Sequence, residues 1–101
     1  GAEIDSQADD QATPLEAAAG KGHLEIVQLL VEQGANINHQ DKDNDTPLGE
    51  AAKGGFIEVV NYLLSKGANA TLKNNEGHTA ADRARYAGQA KVETILKARR
   101  S

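Results

Sequence analysis

Three carboxylates at alternate positions, Asp41, Asp43 and Asp45, have the spacing in this 101-residue chain that most suggests chemistry. Alternating acids open the calcium-binding loop of an EF-hand, which then requires Gly at its sixth position and a bidentate Glu at its twelfth. Thr46 and Ala52 stand at those two positions. The pattern therefore favours the tip of a loop, and a calcium site is the weaker alternative.

Catalytic groups are sparse elsewhere in the chain. His23, His39 and His78 lack the spacing of a metal-binding pair, and the absence of Cys excludes thiolate nucleophiles, Cys-zinc sites and disulfides. The sequence also contains no nucleophile elbow and no Gly-rich phosphate loop. We therefore expect no enzyme activity, no metal and no cofactor.

Charge is distributed unevenly along the chain. Residues 1–50 carry eleven acids and two bases, a net charge of −9, whereas residues 51–101 carry four acids and nine bases, a net charge of +5. The acidic half argues against nucleic acid as a partner, because phosphates would be repelled. The basic half is expected to form a solvent-facing surface, and the alternatives are contact with phosphates, with an acidic partner or with the rest of a larger protein. This surface comprises Arg83, Arg85, Lys91, Lys97, Arg99 and Arg100.

The apolar residues predict packed helices in a soluble protein. Only Phe56, Tyr62 and Tyr86 are aromatic, so the core must consist of Leu, Val, Ile and Ala, which suits helices better than a sandwich or barrel. The longest apolar runs are too short to cross a membrane. Together with the lack of Cys, this predicts an intracellular location, either cytoplasmic or nuclear.

A repeat of 33 residues organises the whole chain. Its most regular members are a Thr, a Gly after the first predicted helix and a Gly after the second. They are Thr13, Thr46 and Thr79; Gly22, Gly55 and Gly88; and Gly1, Gly34 and Gly67. A repeat unit of this size is a single supersecondary structure that must stack on its neighbours to bury its apolar face.

Local signals place two helices in each unit. Thr13 is a good N-cap, Pro14 suits the first helical position, and Glu16 at the third position predicts a capping box. The Ala-rich helix that follows stops at Gly20 to Gly22. A second helix is predicted from about Leu24 to Gln33, with its apolar residues on one face.

The segments TPLEAAA at residues 13–19 and TPLGEAA at residues 46–52, each followed by Gly, an apolar helix and Gly-Ala-Asn, resemble the ankyrin repeat. The resemblance implies an all-α solenoid of stacked helix-turn-helix units with protruding β-hairpin loops. It implies one domain over residues 1–101, with the tail of a preceding repeat at 1–7, repeats at 8–40 and 41–73, and a C-terminal capping repeat at 74–101.

The two ends of the array are predicted to differ. Arg85 stands at the register position of Ala19 and Ala52, and Lys97 replaces an apolar residue, so nothing is expected to pack after the third unit. No polar capping helix precedes Thr13, which predicts a C-terminal fragment of a longer array. The alternative is a naturally short protein whose N-terminus only resembles the tail of a repeat.

The resemblance also implies function: binding of a protein or peptide through the concave face formed by loop tips and first helices. The acidic tips favour a Lys/Arg-rich segment, bound by a monomer that has no affinity for nucleic acid or membranes. The candidate contact residues are Asp9, Asp10, Lys21, Asp41, Lys42, Asp43, Asp45, Lys53, Glu76, His78 and Tyr86.

Several alternatives to this function stay open. The acidic rim can serve solubility alone, and Tyr86 can either anchor a partner or pack against the last helix. The chain can also be a structural or regulatory segment of a larger protein, or an engineered binder, although its unit-to-unit irregularities argue against design. Asn38 matches part of the motif of an ankyrin asparaginyl hydroxylase, but Asn36 replaces the usual acid, so we prefer an Asn that bonds its own backbone.

Overall fold

The computed structural model describes residues 12–98, and within that range it contains six helices and no strand. The helices are α1 (Pro14–Lys21), α2 (Leu24–Glu32), α3 (Pro47–Gly54), α4 (Ile57–Ser65), α5 (Ala80–Tyr86) and α6 (Ala90–Ala98). The first helices of the three units begin at residues 14, 47 and 80, a translation of 33 residues each time. The predicted all-α repeat architecture is therefore confirmed.

Threonine side chains start the first helix of each unit. The hydroxyl oxygens of Thr13, Thr46 and Thr79 each accept the backbone N–H of the third helical residue, which satisfies one of the free donors at the helix start. The capping box predicted at Glu16 is wrong, because only the third unit completes it: there the Asp82 carboxylate accepts the N–H of Thr79. In the first unit the Glu16 side chain is buried instead.

The helices form two rows. The first helices pack in the order α1, α3, α5, and the second helices pack in the order α2, α4, α6 beside them. Ala18, Ala19, Ala51, Ala52 and Ala84 are buried where the first helices meet, and their small side chains allow close approach. Larger aliphatic residues fill the rest of the core, namely Leu15, Val27, Leu48, Val59, Val60, Leu63, Leu64, Val92 and Leu96.

The two rows end differently. Ile26 and Leu29 on α2 are 48% and 53% exposed, whereas Val59, the residue one repeat after Ile26, is 1% exposed because α2 packs beside α4. At the other end, Lys97 is exposed and pairs with Glu93 on the same helix. The structure thus has an apolar surface on the first unit and a charged surface on the third. The repeat boundaries at residues 8, 41 and 74 stay a prediction.

The loops between repeats are turns. In the loop tip before α3 (residues 41–45, the second tip), Asp41 N–H bonds to Asp45 O at 3.0 Å. In the loop tip before α5 (residues 74–78, the third tip), Asn74 N–H bonds to His78 O, also at 3.0 Å. Neither turn extends into a ladder in the described part of the chain, so the protruding β-hairpins are not confirmed. None of the six helices, each of nine residues or fewer, has the length and apolar character to span a bilayer.

Candidate partner-binding groove

Asp41 and Asn74 occupy equivalent positions in successive tips and perform the same structural task. Oδ1 of Asp41 accepts the N–H groups of Asp43 and Asp45 at 2.8 and 3.0 Å. Oδ1 of Asn74 accepts the corresponding N–H groups of its own turn at 2.9 and 3.0 Å. Asp41 is only 8% exposed, so its carboxylate shapes the turn and is not presented at the surface.

Asparagine side chains tie the second tip to the third. Nδ2 of Asn74 donates to Oδ1 of Asp45 at 3.0 Å, and the N–H of Asn75 donates to the carbonyl of Asp43 at 2.9 Å. Asn44, with a φ of 62°, donates from its side chain to Asn75 at 2.8 Å. These bonds fix the two tips relative to each other, so the charged groups between them have a defined spacing.

Two adjoining cavities run along the tips and first helices, and we call them together the groove. The first cavity, of about 470 Å³, is lined by Ala12, Glu16, Ala17, Gly20, Lys21, Asp41, Asp43, Asp45, Glu50, Lys53 and Arg83. The second cavity, of about 370 Å³, is lined by Lys53, Glu76, His78, Arg83, Tyr86 and Ala87. Lys53 and Arg83 line both, so the two cavities lie side by side.

The Arg83 guanidinium lies in the acidic part of the groove. Its Nη1 lies 2.8 Å from Oε2 of Glu50 and 3.2 Å from Oδ1 of Asp45, and its side chain is only 12% exposed. Gly49 leaves room for it, because a Cβ at residue 49 would lie 3.2 Å from Nη1. The expectation that Arg83 belongs to a solvent-facing basic surface is therefore wrong: third-unit stacking turns it toward the second unit.

Glu16 is a buried acid surrounded by other acids. It is 4% exposed, and no donor group reaches its Oε1. Burial, the hydrogen bond with Asp41, and the nearby charges of Asp41, Glu50 and Asp45 raise the pKa of Glu16 to about 9. Glu16 is therefore protonated at neutral pH and donates its proton to the Asp41 carboxylate.

The Asp41 carboxylate is the ionised partner in this hydrogen bond. Burial alone would raise the pKa of Asp41, but the hydrogen bond from Glu16 and the N–H groups of Asp45 and Asp43 outweigh it and lower the pKa. The Arg83 charge acts in the same direction. The two carboxyls thus share one proton, which stays on Glu16.

The carboxylates of Asp41, Asp43 and Asp45 each have an oxygen within 4.8 Å of the others, a spacing that would also suit a cation. Oδ1 of Asp41 already accepts two N–H groups, and Oδ1 of Asp45 already accepts Arg83 and Asn74. The turn and the stacking of tips account for the cluster, and we derive no metal site from it.

His78 and Tyr86 form an aromatic pair in the second cavity. Their rings stack with centroids 4.7 Å apart and planes at 27°, and the Arg85 guanidinium lies 5.5 Å from the Tyr86 centroid. Tyr86 is nevertheless 67% exposed. Its ring is therefore held in position without being buried in the core.

A family model described as ankyrin repeats (three copies) matches residues 1–74 and again residues 39–100. The two matches together span nearly the whole chain. The chain belongs to the ankyrin-repeat family. A search of curated proteins found no match. Ankyrin repeats are generally protein–protein interaction modules, typically without catalytic activity. A groove built from loop tips and first helices is consistent with such a module.

Most of the candidate contact residues of this ankyrin chain line the groove. Lys21, Asp41, Asp43, Asp45 and Lys53 line the first cavity, and Lys53, Glu76, His78 and Tyr86 line the second. Lys42 is exposed at the tip but lines neither cavity, and Asp9 and Asp10 lie outside the described residues, as do the predicted repeat tail at 1–7 and Arg99 and Arg100.

Three charged groove residues, Glu16, Glu50 and Arg83, were missing from the contacts predicted from the sequence. A signal for Arg83 existed: it stands 33 residues after Glu50, so two opposite charges occupy the same register position of adjacent ankyrin repeats. Asn38 also differs from expectation, since its Oδ1 accepts the N–H of Asn69, one repeat further on, at 2.7 Å. The Asn38 side chain thus bonds the backbone of the next repeat, while its own N–H donates to Asn36 within the loop.

Proposed function

We propose that this ankyrin chain binds a cation-bearing segment of a partner protein along the groove, as a monomer. The observation that carries the proposal is the convergence of five carboxyl groups on the first cavity, which belong to Glu16, Asp41, Asp43, Asp45 and Glu50. Within residues 12–98, Arg83 is the one residue that forms ion pairs there, and it pairs with Asp45 and Glu50. Lys21 and Lys53 line the cavity as well, but both are exposed, so an arginine or lysine of a partner would add positive charge beside the carboxylates.

Asp43 is the carboxylate best placed to meet that charge. Its side chain is exposed, while its backbone is held by the N–H of Asn75 at 2.9 Å and by the Asp41 turn. A tip whose backbone is already held in place loses less conformational entropy on binding than a mobile loop would. The adjoining second cavity offers Tyr86 as an exposed ring beside the same segment, and exposed aromatics are frequent anchors of interfaces.

The proposal is tested with a labelled, end-blocked Gly/Ser peptide that carries several arginines, and with a second peptide in which glutamates replace the arginines. Fluorescence anisotropy is expected to detect binding of the arginine peptide alone, with affinity that falls as the salt concentration rises from about 50 to about 300 mM. Binding of the glutamate peptide with equal affinity, or of neither peptide, would contradict the proposal.

Charge reversal at Asp43 identifies the site. Asp43→Lys is expected to lower the affinity for the arginine peptide by about fivefold or more, which corresponds to about 1 kcal/mol for one exposed charge contact. The matched control is Glu58→Lys, the same charge change at an exposed residue of α4 outside the groove. Equal losses in the two variants would show that net charge, and not the groove, attracts the peptide.

Tyr86 is tested separately, because its contribution is apolar. Tyr86→Ala is expected to lower the affinity for the arginine peptide by about fivefold, whereas Tyr86→Phe retains the ring and most of the affinity. Since Tyr86 is 67% exposed, neither change is expected to alter the thermal midpoint of unfolding by more than a few degrees. Equal affinity of the alanine variant and the unmodified chain would exclude Tyr86 from the contact.

A further inference from the structure

Glu16 is the least satisfied polar group that borders the groove. It lines the first cavity, it is 96% removed from solvent, and its Oε1 receives no hydrogen bond. A buried carboxyl in such a position normally costs free energy unless it is neutral or paired with a cation. In the unbound chain the Glu16 carboxyl is neutral, because it keeps its proton. The proton therefore removes the negative charge that a nearby cation would otherwise have to balance.

In the described part of the chain, the charged groups around Glu16 come from the second tip, α3 and α5. Asp41 and Asp45 face it from the second tip, Glu50 faces it from α3, and Arg83 reaches the same cavity from α5. Lys21 and Lys53 line the cavity as well, but both are exposed. The charges that act on Glu16 are therefore mainly negative, and Arg83 is already paired with Asp45 and Glu50.

A partner cation beside Asp43 would change this balance. Oxygens of Asp43 and Asp45 lie within 4.8 Å of an oxygen of Asp41, and Asp41 holds the Glu16 proton in its hydrogen bond. A positive charge beside these carboxylates, in a partly desolvated cavity, favours the ionised form of a neighbouring carboxyl.

We propose that a guanidinium group of the bound partner displaces the proton of Glu16 into solvent, so that the groove exchanges one proton for one cation. This inference rests on the proposed function and adds a regulation to it. The guanidinium stays protonated throughout, and the only bond that breaks is the O–H bond of Glu16. Because the complex holds fewer protons than its free components, the affinity for the partner increases as the pH rises.

Calorimetric titration with the end-blocked arginine peptide tests this exchange. The peptide has no group that titrates near neutral pH, since guanidinium is always charged. Titrations in phosphate and in Tris at one pH near 7.5 differ in heat by the number of protons released multiplied by the difference between the ionisation enthalpies of the two buffers. We expect that number to lie between about half and one per peptide. The affinity is expected to rise by up to about tenfold per pH unit between about 6 and 9.

Glu16→Gln is the decisive variant, because the amide can still donate to Asp41 but has no proton to lose. It is expected to bind the peptide with no proton release and with affinity independent of pH, while His23→Gln, a change at an exposed histidine outside the groove, retains the release. Binding without release by the unmodified chain, or equal release by Glu16→Gln, overturns the exchange and leaves the proposed function standing. No binding by the unmodified chain overturns both.

Discussion

Glu50 and Arg83 stand at the same position of successive repeats and form an ion pair with an Oε2–Nη1 distance of 2.8 Å. The same Nη1 lies 3.2 Å from Asp45, so one cation joins α3, the second tip and α5. The pair does two things at once. It fastens the third unit to the second, and it neutralises part of the acidic cavity, which limits the charge available to a partner.

Arg83→Met is expected to destabilise the fold, because it keeps most of the side-chain stem but leaves Glu50 and Asp45 without their cation. The side chains of Glu50 and Asp45 are 25% and 15% exposed. The loss of unfolding free energy should therefore lie between that for a surface ion pair and that for a buried one, at about 1–2 kcal/mol. Urea denaturation followed by circular dichroism measures it.

The Lys97–Glu93 pair supplies the control, since Lys97 is 63% exposed. Lys97→Met is expected to cost less than about 0.5 kcal/mol. In the double variant Glu50→Gln with Arg83→Met, the loss should be smaller than the sum of the two single losses, because each single change already removes the ion pair. Additive losses would show that Arg83 acts only through the packing of its stem.

Gly22 and Gly88 both follow the first helix of their unit with a positive φ, 74° and 79°, but their surroundings differ. A Cβ at residue 22 would lie 2.5 Å from Cδ1 of Phe56, whereas a Cβ at residue 88 would meet nothing within 4 Å. Gly88→Ala is therefore expected to cost only the left-handed backbone, about 1 kcal/mol. Gly22→Ala is expected to cost about 1–3 kcal/mol more, because the Phe56 ring must move.

The measurement for this pair is the urea midpoint of each alanine variant. Phe56 packs against the core, so its displacement should also change the near-ultraviolet signal of Gly22→Ala and not that of Gly88→Ala. Equal midpoints for the two variants would mean that Phe56 relaxes freely and that the contact at Gly22 carries no packing energy.

The local structure of the repeats could be predicted from the sequence because its determinants are local. Thr13 and Thr46 cap helices through atoms three residues away, and Gly22 ends a helix through its own backbone. The second helix also follows the prediction closely, since Leu24–Glu32 differs from the expected Leu24–Gln33 by a single residue that serves as the C-cap. These features need no knowledge of the neighbouring repeat.

The groove could be predicted only in part, because its details depend on contacts between repeats. The capping-box motif placed Glu16 at the start of its own helix, but its side chain contacts Asp41 of the next tip. Arg83 looked like a surface cation until Gly49 and Glu50 of the preceding repeat provided its space and its partner. Side-chain direction at these positions is decided by the stacking geometry and not by the local sequence.

Ile26 and Val59 occupy equivalent positions on α2 and α4, yet Ile26 is 48% exposed and Val59 only 1%. Val59→Ala is expected to cost about 2 kcal/mol, since it removes two buried methyl groups and leaves a cavity between α2 and α4. Ile26→Ala is expected to cost less than about 1 kcal/mol, although it removes more atoms, because water already covers much of the side chain. Chemical denaturation of both variants in one buffer makes the comparison, and an Ile26→Ala loss equal to that of Val59→Ala would show that Ile26 is packed.

The stability of the fold should depend on pH through Glu16. The unfolded chain ionises this residue near its ordinary pKa of 4.5, whereas the folded chain retains the proton until about pH 9. Between these values the native state binds more protons than the unfolded state, so the free energy of unfolding falls as the pH rises. The contribution is complete below about 4.5 and lost above about 9, with a slope on the order of 1 kcal/mol per pH unit.

Glu16→Gln isolates this contribution, because the amide keeps the shape and the donor but cannot ionise. The difference in unfolding free energy between the variant and the unmodified chain is expected to grow steadily from about pH 5 to about pH 9, in favour of the variant. Asp41 does not produce this trend, since its lowered pKa acts only in more acidic solutions, where stability is lost as the pH falls through that pKa. Parallel stability curves for the two proteins would show that Glu16 is ionised in the native state, and that the hydrogen bond to Asp41 is not held by its proton.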